Sequence, residues 1–353
     1  MPGPELVLRY GNRYHYVVTR HRVPRSADTR LLVSAVLAAL ATVTLAACGS
    51  EESASTTTTS GAPATTLAET TTTVAAPAPP PPCPVEPIQV VVSVDQWGDI
   101  VDQLAGECAT VTTVISSSAL DPHDYEPSPA DIAAFTDAEI VVVNGCDYDH
   151  WAADTAAELS PTPVVVDACE VVGRTDGDNP HIWYGPDFVF AVAADVTAQL
   201  QQQLPAAAAY FTDRAAAWDA SMQGYRDEIA RIREAFAGRT YAATESVFDD
   251  MGDALGLART TPEGFAQAAA SETDPSPGDV QAFDQLLSSG GAGVLVYNVQ
   301  TEGAIPQQVR ATAEAAGVPV VDVTETVAEG ATSFAEWQVA QLRALFAALD
   351  GQG

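Results

Sequence analysis

Predominantly apolar runs alternate with amphipathic stretches along most of the chain. Four runs lie in its first half, at Gln89–Val94, Thr110–Ile115, Ile140–Asn144 and Val164–Asp167. The alternation resumes later, at Thr240–Ala243, Val294–Tyr297 and Val320–Val323. Runs without a polar face, separated by stretches with helical spacing, are typical of parallel strands covered by helices on both sides. The pattern predicts an α/β protein with two similar parallel-sheet lobes.

The segment between the two sets of strands has a different composition and hydrophobic pattern. No strand signal occurs between Pro186 and about Gly238, and the stretch from Ala206 is rich in alanine and other strong helix formers. If continuous, this helix would be about 50 Å long, roughly the span of a small domain. We therefore expect a long rigid helix that joins the lobes.

One short motif occurs in both lobes. The frame PSP-x-D-x-x-AF begins at Pro127 and again at Pro275, an offset of 148 residues. Its serine can cap a helix whose first residue is the second proline and whose third is the aspartate. The repeated frame thus indicates equivalent helices in two related lobes. Only the first copy is preceded by a histidine, His123.

The N-terminal region has the pattern of a bacterial export signal. An arginine-rich stretch precedes the apolar segment Leu31–Ala47, and Cys48 follows it directly. Small residues before a cysteine resemble a lipoprotein cleavage site, which predicts a signal peptide at 1–47 and lipidation of Cys48. The alternative is an uncleaved membrane anchor, for which the apolar segment is short. The Ser, Thr, Ala and Pro composition of residues 48–82 predicts a disordered tether.

These patterns divide the rest of the chain into a first lobe at 83–185, a helical segment at 186–238 and a second lobe at 239–353. Without residues 1–47 the chain keeps 9 basic and 45 acidic residues, a net charge of about −36. Phosphate binding needs a basic face, so nucleic acid is excluded as a partner. The acidic field favours cations.

Four cysteines remain beyond Cys48, an even number that indicates two disulfides outside the cytoplasm. Cys83 and Cys108 each precede a predicted strand, whereas Cys146 and Cys169 each follow one. Since a parallel sheet brings equivalent strand ends to one edge, we expect the pairs Cys83–Cys108 and Cys146–Cys169.

Two histidines share a setting that differs from that of the third. His123 and His181 each follow a proline and lie in loops beyond the carboxyl ends of strands, where open α/β sheets bind ligands. His150 lacks this pattern, and we expect it to be an exposed residue at the start of a helix. From spacing alone, His123 and His181 could equally be hydrogen-bonded loop residues.

Several motifs together resemble a known family. They are DPHDYEPSPADI, NPHIWYGP, ATESVFDDMGDALGL, GVPVVDVTETV and SFAEWQVAQLRAL. From Gln89 onward the chain resembles the cluster A-I metal-binding proteins of bacterial zinc and manganese ABC importers. This resemblance implies two α/β lobes joined by a long helix, with one divalent metal ion in the cleft.

The resemblance also implies a ligand set. His123 and His181 would come from the first lobe, and Glu245 and Glu325 from the second. Glu245 could instead only stabilise a helix N-terminus. The family usually has aspartate where Glu325 stands, and Asp322 is the rival ligand, although it lies within a strand rather than past its end.

Two imidazoles and two carboxylates suit Mn²⁺ or Zn²⁺, with Fe²⁺ as a third candidate. The resemblance therefore predicts an extracytoplasmic, membrane-anchored monomeric receptor. It would deliver metal to an ABC permease with its cytoplasmic ATPase, and would not be an enzyme. The rivals are a metal-independent adhesin or binder of another solute, and a secreted metallohydrolase, for which no HExxH pattern occurs.

Overall fold

The computed structural model describes residues 81–117, 125–271, 273–301 and 303–351. Within these ranges the first sheet has four parallel strands in the order β2-β1-β3-β4. The strands are β1 (Ile88–Val94), β2 (Ala109–Ile115), β3 (Ile140–Val143) and β4 (Val164–Asp167). All four residues of β3 are buried, as expected of a strand covered on both faces.

The second sheet repeats this topology. Its strands are β5 (Thr240–Ala243), β6 (Ala258–Arg259), β7 (Leu295–Asn298) and β8 (Val320–Val323), in the order β6-β5-β7-β8. β6 was not predicted, because it has only two residues and both are exposed. The equal strand order confirms the prediction of two similar parallel-sheet lobes.

Helices cover both sheets. Those of the first lobe are α1 (Asp95–Ala105), α2 (Pro129–Ala134), α3 (His150–Glu158) and α4 (Ala168–Val171). The intervening segment forms α5 (Pro186–Gln203), α6 (Ala208–Ser221) and α7 (Gln223–Phe236). The second lobe has α8 (Asp249–Leu255), α9 (Glu263–Ala270), α10 (Pro277–Ser288), α11 (Ala304–Ala316) and α12 (Phe334–Asp350). Over the described ranges, none of the helices has the length and apolar character needed to cross a bilayer.

The repeated PSP-x-D frame forms the same local structure in both lobes. Ser128 caps α2 and Ser276 caps α10, each by accepting a hydrogen bond from the backbone N–H of the aspartate three residues on. The carboxylates of Asp131 and Asp279 accept a hydrogen bond from the backbone N–H of the capping serine in return. Both helices thus begin with a complete capping box, which satisfies two otherwise unpaired donors.

The predicted linking helix is divided in two. α6 and α7 meet at Met222, and the hydroxyl of Ser221 donates a hydrogen bond of 2.7 Å to the carbonyl of Trp218. Hydroxyls that bond to a carbonyl of the preceding helical turn often bend helices. α6 packs against α1 and α5, and α7 packs against α8 and α12, so the two halves contact different lobes.

One apolar core extends through both lobes. It includes the fully buried Trp97, Trp183 and Trp337. The hydroxyl of Tyr184, next to Trp183, lies within hydrogen-bond distance of the carbonyl oxygen of Thr324 (2.8 Å) and the side-chain oxygen of Gln341 (2.9 Å), either of which can accept its single proton. A smaller apolar cluster around Phe265 and Phe283 belongs to the second lobe alone. The shared core therefore holds the two lobes in contact.

Two disulfides occur in the first lobe, and their pairing is the one favoured from strand positions. Cys83 is joined to Cys108, with their Cα atoms 4.9 Å apart, and Cys146 is joined to Cys169, with Cα atoms 5.5 Å apart. The first pair lies at the start of β1 and β2, and the second lies just beyond β3 and β4. Each disulfide therefore ties two neighbouring strands at one edge of the sheet.

Helix α1 also receives hydrogen bonds from the second lobe. The carboxylate of Asp95 accepts one from the backbone N–H of Val327 (3.3 Å), and that of Asp99 accepts one from the backbone N–H of Phe334 (2.7 Å). Burial raises the pKa of Asp95 to about 7, although the hydrogen bond from the backbone N–H of Val327 acts to lower it. The contact between the two lobes therefore includes the Asp95 carboxyl group, which loses its proton near neutral pH.

We expect Asp95→Asn to flatten the pH dependence of stability. A carboxyl whose pKa is raised on folding stabilises the folded state most at low pH, and this contribution is lost as the pH rises from about 4 through about 7. At pH 8 the variant should be more stable by as much as about 4 kcal/mol, since one pKa unit corresponds to about 1.4 kcal/mol. Urea unfolding of both metal-free proteins between pH 4 and pH 8 measures the difference, and equal slopes would contradict the expectation.

Candidate metal site

His181 is held in a rigid loop of the first lobe. It directly precedes a short 3-10 turn, Ile182–Tyr184, whose three side chains are buried in the shared core. The side chain of His181 is only 3% exposed. Because the neighbouring aromatic residues are fixed by packing, the imidazole has a defined position at the junction of the lobes.

The second lobe contributes two carboxylates from the ends of its strands. Glu245 follows β5, and Glu325 follows β8 and is 4% exposed. Ligand atoms of His181, Glu245 and Glu325 all lie within 4.8 Å of one another. The structure thus brings together three of the four predicted ligands, and His123 lies outside the described residues.

The rival residues lie elsewhere. Asp322 is exposed on β8, and its carboxylate accepts a hydrogen bond from the guanidinium of Arg310 at 2.7 Å. Glu245 is the N-cap residue of the turn that follows it, but its side chain makes no capping hydrogen bond there. His150 begins α3 and is exposed, as expected. Of the two candidates Glu325 and Asp322, only Glu325 is in the cluster.

A single asparagine connects the two carboxylates. The Nδ2 atom of Asn298 donates to Oε2 of Glu245 (2.6 Å) and to Oε1 of Glu325 (2.7 Å). The hydroxyl of Thr301 donates to Oε2 of Glu245 (2.6 Å), and that of Tyr148 donates to Oε2 of Glu325 (3.0 Å). These are charge-assisted hydrogen bonds, which are stronger than neutral ones. They hold both carboxylates in place.

The orientation of His181 is set by Asn179. Oδ1 of Asn179 lies 2.7 Å from Nδ1 of His181 and also accepts the backbone N–H of His181 at 3.1 Å. Since Nδ2 of Asn179 donates to the carbonyl of Ser246 (3.0 Å), its Oδ1 is the atom that faces the ring. Nδ1 therefore carries a proton and donates it, which leaves Nε2 as the nitrogen on the side of Glu325, 3.7 Å from its Oε2.

The charge of the cluster favours a cation. Burial acts to lower the pKa of His181, but the hydrogen bond to and charge of Glu325, with the charges of Glu245 and Asp250, outweigh it. The pKa of His181 is therefore raised above its ordinary value. A proton on the imidazole offsets part of the negative charge, as a bound divalent ion would do more completely.

The asparagines at the ends of the third strands make hydrogen bonds around the cluster, and our sequence analysis did not single them out. Asn144 follows β3, and its Nδ2 donates to the carbonyl of Pro180 (2.8 Å), next to His181. Asn298 ends β7 and holds the carboxylates. The signal was present in the repeat, because VVVN (141–144) and VLVYN (294–298) end equivalent strands with the same residue.

A buried aspartate shapes the loop that follows Asn144. The carboxylate of Asp149 accepts the backbone N–H groups of Asn144 (2.7 Å) and Gly145 (2.8 Å), and the hydroxyl of Ser93 donates to it as well. Burial raises the pKa of the Asp149 carboxyl group, although these hydrogen bonds act to lower it. Asp149 thus fixes the loop that carries Tyr148. Tyr148 donates a hydrogen bond to Glu325 and is not itself a member of the cluster.

An ion pair joins the lobes beside the cluster. The guanidinium of Arg174 donates to both carboxylate oxygens of Asp250, at 2.8 and 2.6 Å, and to the carbonyl of Asn179 at 2.9 Å. The two side chains are 20% and 15% exposed. The loop that carries His181 is thus fastened directly to the second lobe, close to Glu245.

The family comparison agrees with this architecture. The model of a family described as zinc-uptake complex component A, periplasmic (ZnuA), matches residues 90–348. The match covers most of the chain and includes all three clustered residues and both sheets except the first two residues of β1.

Two curated relatives bear names of metal-binding proteins. The chain is 28% identical over 181 residues to a manganese-binding lipoprotein, MntA, of Halalkalibacterium halodurans, which covers 49% of this chain and 59% of that one. It is 25% identical over 145 residues to the iron-binding protein YfeA of Yersinia pestis, covering 38% and 46%. The chain thus spans about half the length of these relatives.

A solved structure has the same fold. The solute-binding protein FpvC of Pseudomonas aeruginosa, in complex with Mn²⁺, superposes with a TM-score of 0.63 over 76% of this chain and all of that one. Sequence identity over this superposition is 20%. At this level the likeness concerns the fold.

We expect Arg174→Ala to lower the free energy of unfolding by about 1–3 kcal/mol, because it leaves the half-buried carboxylate of Asp250 without its partner. Arg310→Ala is the control, since the exposed pair of Arg310 with Asp322 lies within one lobe and should contribute under about 1 kcal/mol. Urea denaturation of the metal-free proteins measures both changes. Equal effects of the two substitutions would contradict a specific role of the pair between the lobes.

Proposed function

The chain belongs to the ZnuA family of periplasmic zinc-uptake components, and we propose on this premise that it is the metal-binding receptor of an ABC importer. The observation that carries the proposal is the cluster of His181, Glu245 and Glu325, whose ligand atoms lie within 4.8 Å of one another. An imidazole nitrogen and carboxylate oxygens within this distance are suited to a divalent transition metal. His123 is proposed as the fourth ligand.

The transported ion is Mn²⁺ or Zn²⁺, with Fe²⁺ as a third candidate. Two carboxylates are hard ligands that suit Mn²⁺, whereas imidazole suits Zn²⁺ and Fe²⁺. The mixed set therefore accepts all three, and Zn²⁺ binds most tightly in the Irving–Williams order. The names of the relatives, manganese-binding for MntA and iron-binding for YfeA, support the same range.

Metal binding replaces a proton at the cluster. In the metal-free protein the raised pKa of His181 favours the imidazolium form, which offsets the two carboxylates. A metal ion that binds Nε2 must displace this proton, so affinity falls as the pH is lowered. Since ligands come from both lobes, the bound ion adds a connection between them.

The receptor works at the outer face of the cytoplasmic membrane. Residues 1–47 are its signal peptide, lipidation of Cys48 anchors it, and residues 48–82 tether the lobes at 83–185 and 239–353, with the helical segment 186–238 between them. It is a monomer that passes the metal to a membrane permease driven by a cytoplasmic ATPase. The periplasmic description of the family supports this location. We propose a transport function rather than catalysis.

The decisive experiment is thermal unfolding of the purified protein, stripped of metal and then supplied with Mn²⁺, Zn²⁺ or Fe²⁺. A ligand at about a hundred times its Kd adds roughly 2.7 kcal/mol of stability, which raises Tm by several degrees. Glu245→Ala should abolish most of this rise, because it removes one clustered ligand. Glu158→Ala, which changes an exposed glutamate at the end of α3, should leave the rise as it is.

Two outcomes would overturn the proposal. One is the absence of any rise in Tm with all three ions. The other is a rise that Glu245→Ala and Glu325→Ala both leave intact, which would place metal binding elsewhere in the chain.

A further inference from the structure

The amide of Asn298 has a fixed orientation. Its Oδ1 accepts the backbone N–H of Gln300 at 3.1 Å, and the residue is 1% exposed. Its own backbone N–H donates to the hydroxyl of Thr244 at 3.3 Å. With Oδ1 used by a backbone donor, Nδ2 must face the carboxylates, where its two hydrogens meet two acceptors. The hydrogen-bond network therefore leaves one arrangement for this side chain.

This arrangement counteracts the repulsion between the carboxylates. Glu245 and Glu325 approach each other in a largely buried setting, where like charges repel more strongly than in water. The two N–H groups of Asn298 satisfy one oxygen of each residue, at 2.6 and 2.7 Å. Thr301 adds a second donor to Glu245. The oxygens are thus held near one another before any metal arrives.

The imidazole side of the cluster has a separate support. His181 is oriented by Asn179, which contacts neither carboxylate through any hydrogen bond among the described residues. The oxygen ligands are thus positioned by Asn298, with further donors from Thr301 and Tyr148. The nitrogen ligand, in contrast, is positioned by Asn179. Substitutions of Asn298 and of Asn179 should therefore alter the carboxylate and the imidazole contributions to metal binding separately.

We propose that Asn298 is a positioning residue that determines metal specificity, because it holds Glu245 and Glu325 together and so favours ions that depend on carboxylate oxygens. Mn²⁺ depends on such ligands more than Zn²⁺ does, since Zn²⁺ also binds imidazole strongly. This inference rests on the proposed metal-receptor function. It goes beyond that function by identifying Asn298 as the residue that sets the relative affinity for Mn²⁺ and Zn²⁺.

The test compares Kd values for Mn²⁺ and Zn²⁺, measured by isothermal titration with competing chelators, in four proteins. They are the unmodified protein, Asn298→Ala, Thr301→Val and Asn179→Ala. Loss of a residue that orients a metal ligand typically weakens binding 10- to 100-fold. We expect Asn298→Ala to weaken Mn²⁺ binding by about this factor and Zn²⁺ binding less, so that the ratio of Kd for Mn²⁺ to Kd for Zn²⁺ rises about tenfold.

The other two variants separate this role from a general structural one. Thr301→Val keeps the side-chain shape but removes one donor to Glu245, so the ratio should rise in the same direction by a smaller factor. Asn179→Ala disturbs the imidazole and should weaken Zn²⁺ binding at least as much as Mn²⁺ binding, so the ratio should not rise. If Asn298→Ala does not fold, as judged by circular dichroism, Thr301→Val decides the question.

Each remaining outcome has a definite meaning. If the unmodified protein binds both ions and the ratio stays within about threefold in Asn298→Ala and Thr301→Val, the role of Asn298 is overturned and the receptor function stands. A lower Tm of the metal-free variant with an unchanged ratio would likewise reduce Asn298 to a structural residue. If the unmodified protein binds neither ion, both proposals are overturned.

Discussion

The structure depends on the burial of two carboxylates next to an imidazole where the lobes meet. Glu325 and His181 are almost inaccessible to solvent, and Glu245 lies within 4.8 Å of them. Charges removed from water in this way are costly unless they are paired and hydrogen-bonded. The surrounding donors come from Asn298, Thr301 and Tyr148, which belong to different elements of the two lobes. The cluster therefore requires both lobes to be folded and in contact.

The repeated topology explains how this arrangement is formed. Both sheets have the same strand order, so the carboxyl ends of equivalent strands occupy equivalent positions. In each lobe the third strand ends at an asparagine whose amide supports the cluster, through Pro180 in one lobe and through two glutamates in the other. The lobes differ in what they contribute to the described cluster: an imidazole comes from the first and carboxylates from the second. Arg174 and Asp250 fasten them beside the cluster.

Membership of the ZnuA family and the local electrostatics both support the proposed function. A strongly acidic chain attracts cations over a distance, and a buried acidic cluster strengthens each electrostatic contact that a cation makes there, because water is excluded. Despite the burial of His181, the carboxylates of Glu325 and Glu245 raise its pKa, so a proton on the imidazole can offset part of their charge. In the proposed receptor, competition between this proton and a metal ion is the physical basis for pH-dependent release.

The sequence by itself determined the fold class, because apolar periodicity and the capped PSP-x-D helices depend only on neighbouring residues. It also indicated the disulfide pairs and, through resemblance to a family, His181, Glu245 and Glu325. It did not reveal β6, whose two residues are exposed, or the break at Met222. Only the tertiary structure decided that Glu325 rather than Asp322 joins the cluster, and that Asn298 connects both glutamates. Those outcomes depend on where distant strand ends meet, and spacing along the chain does not specify that distance.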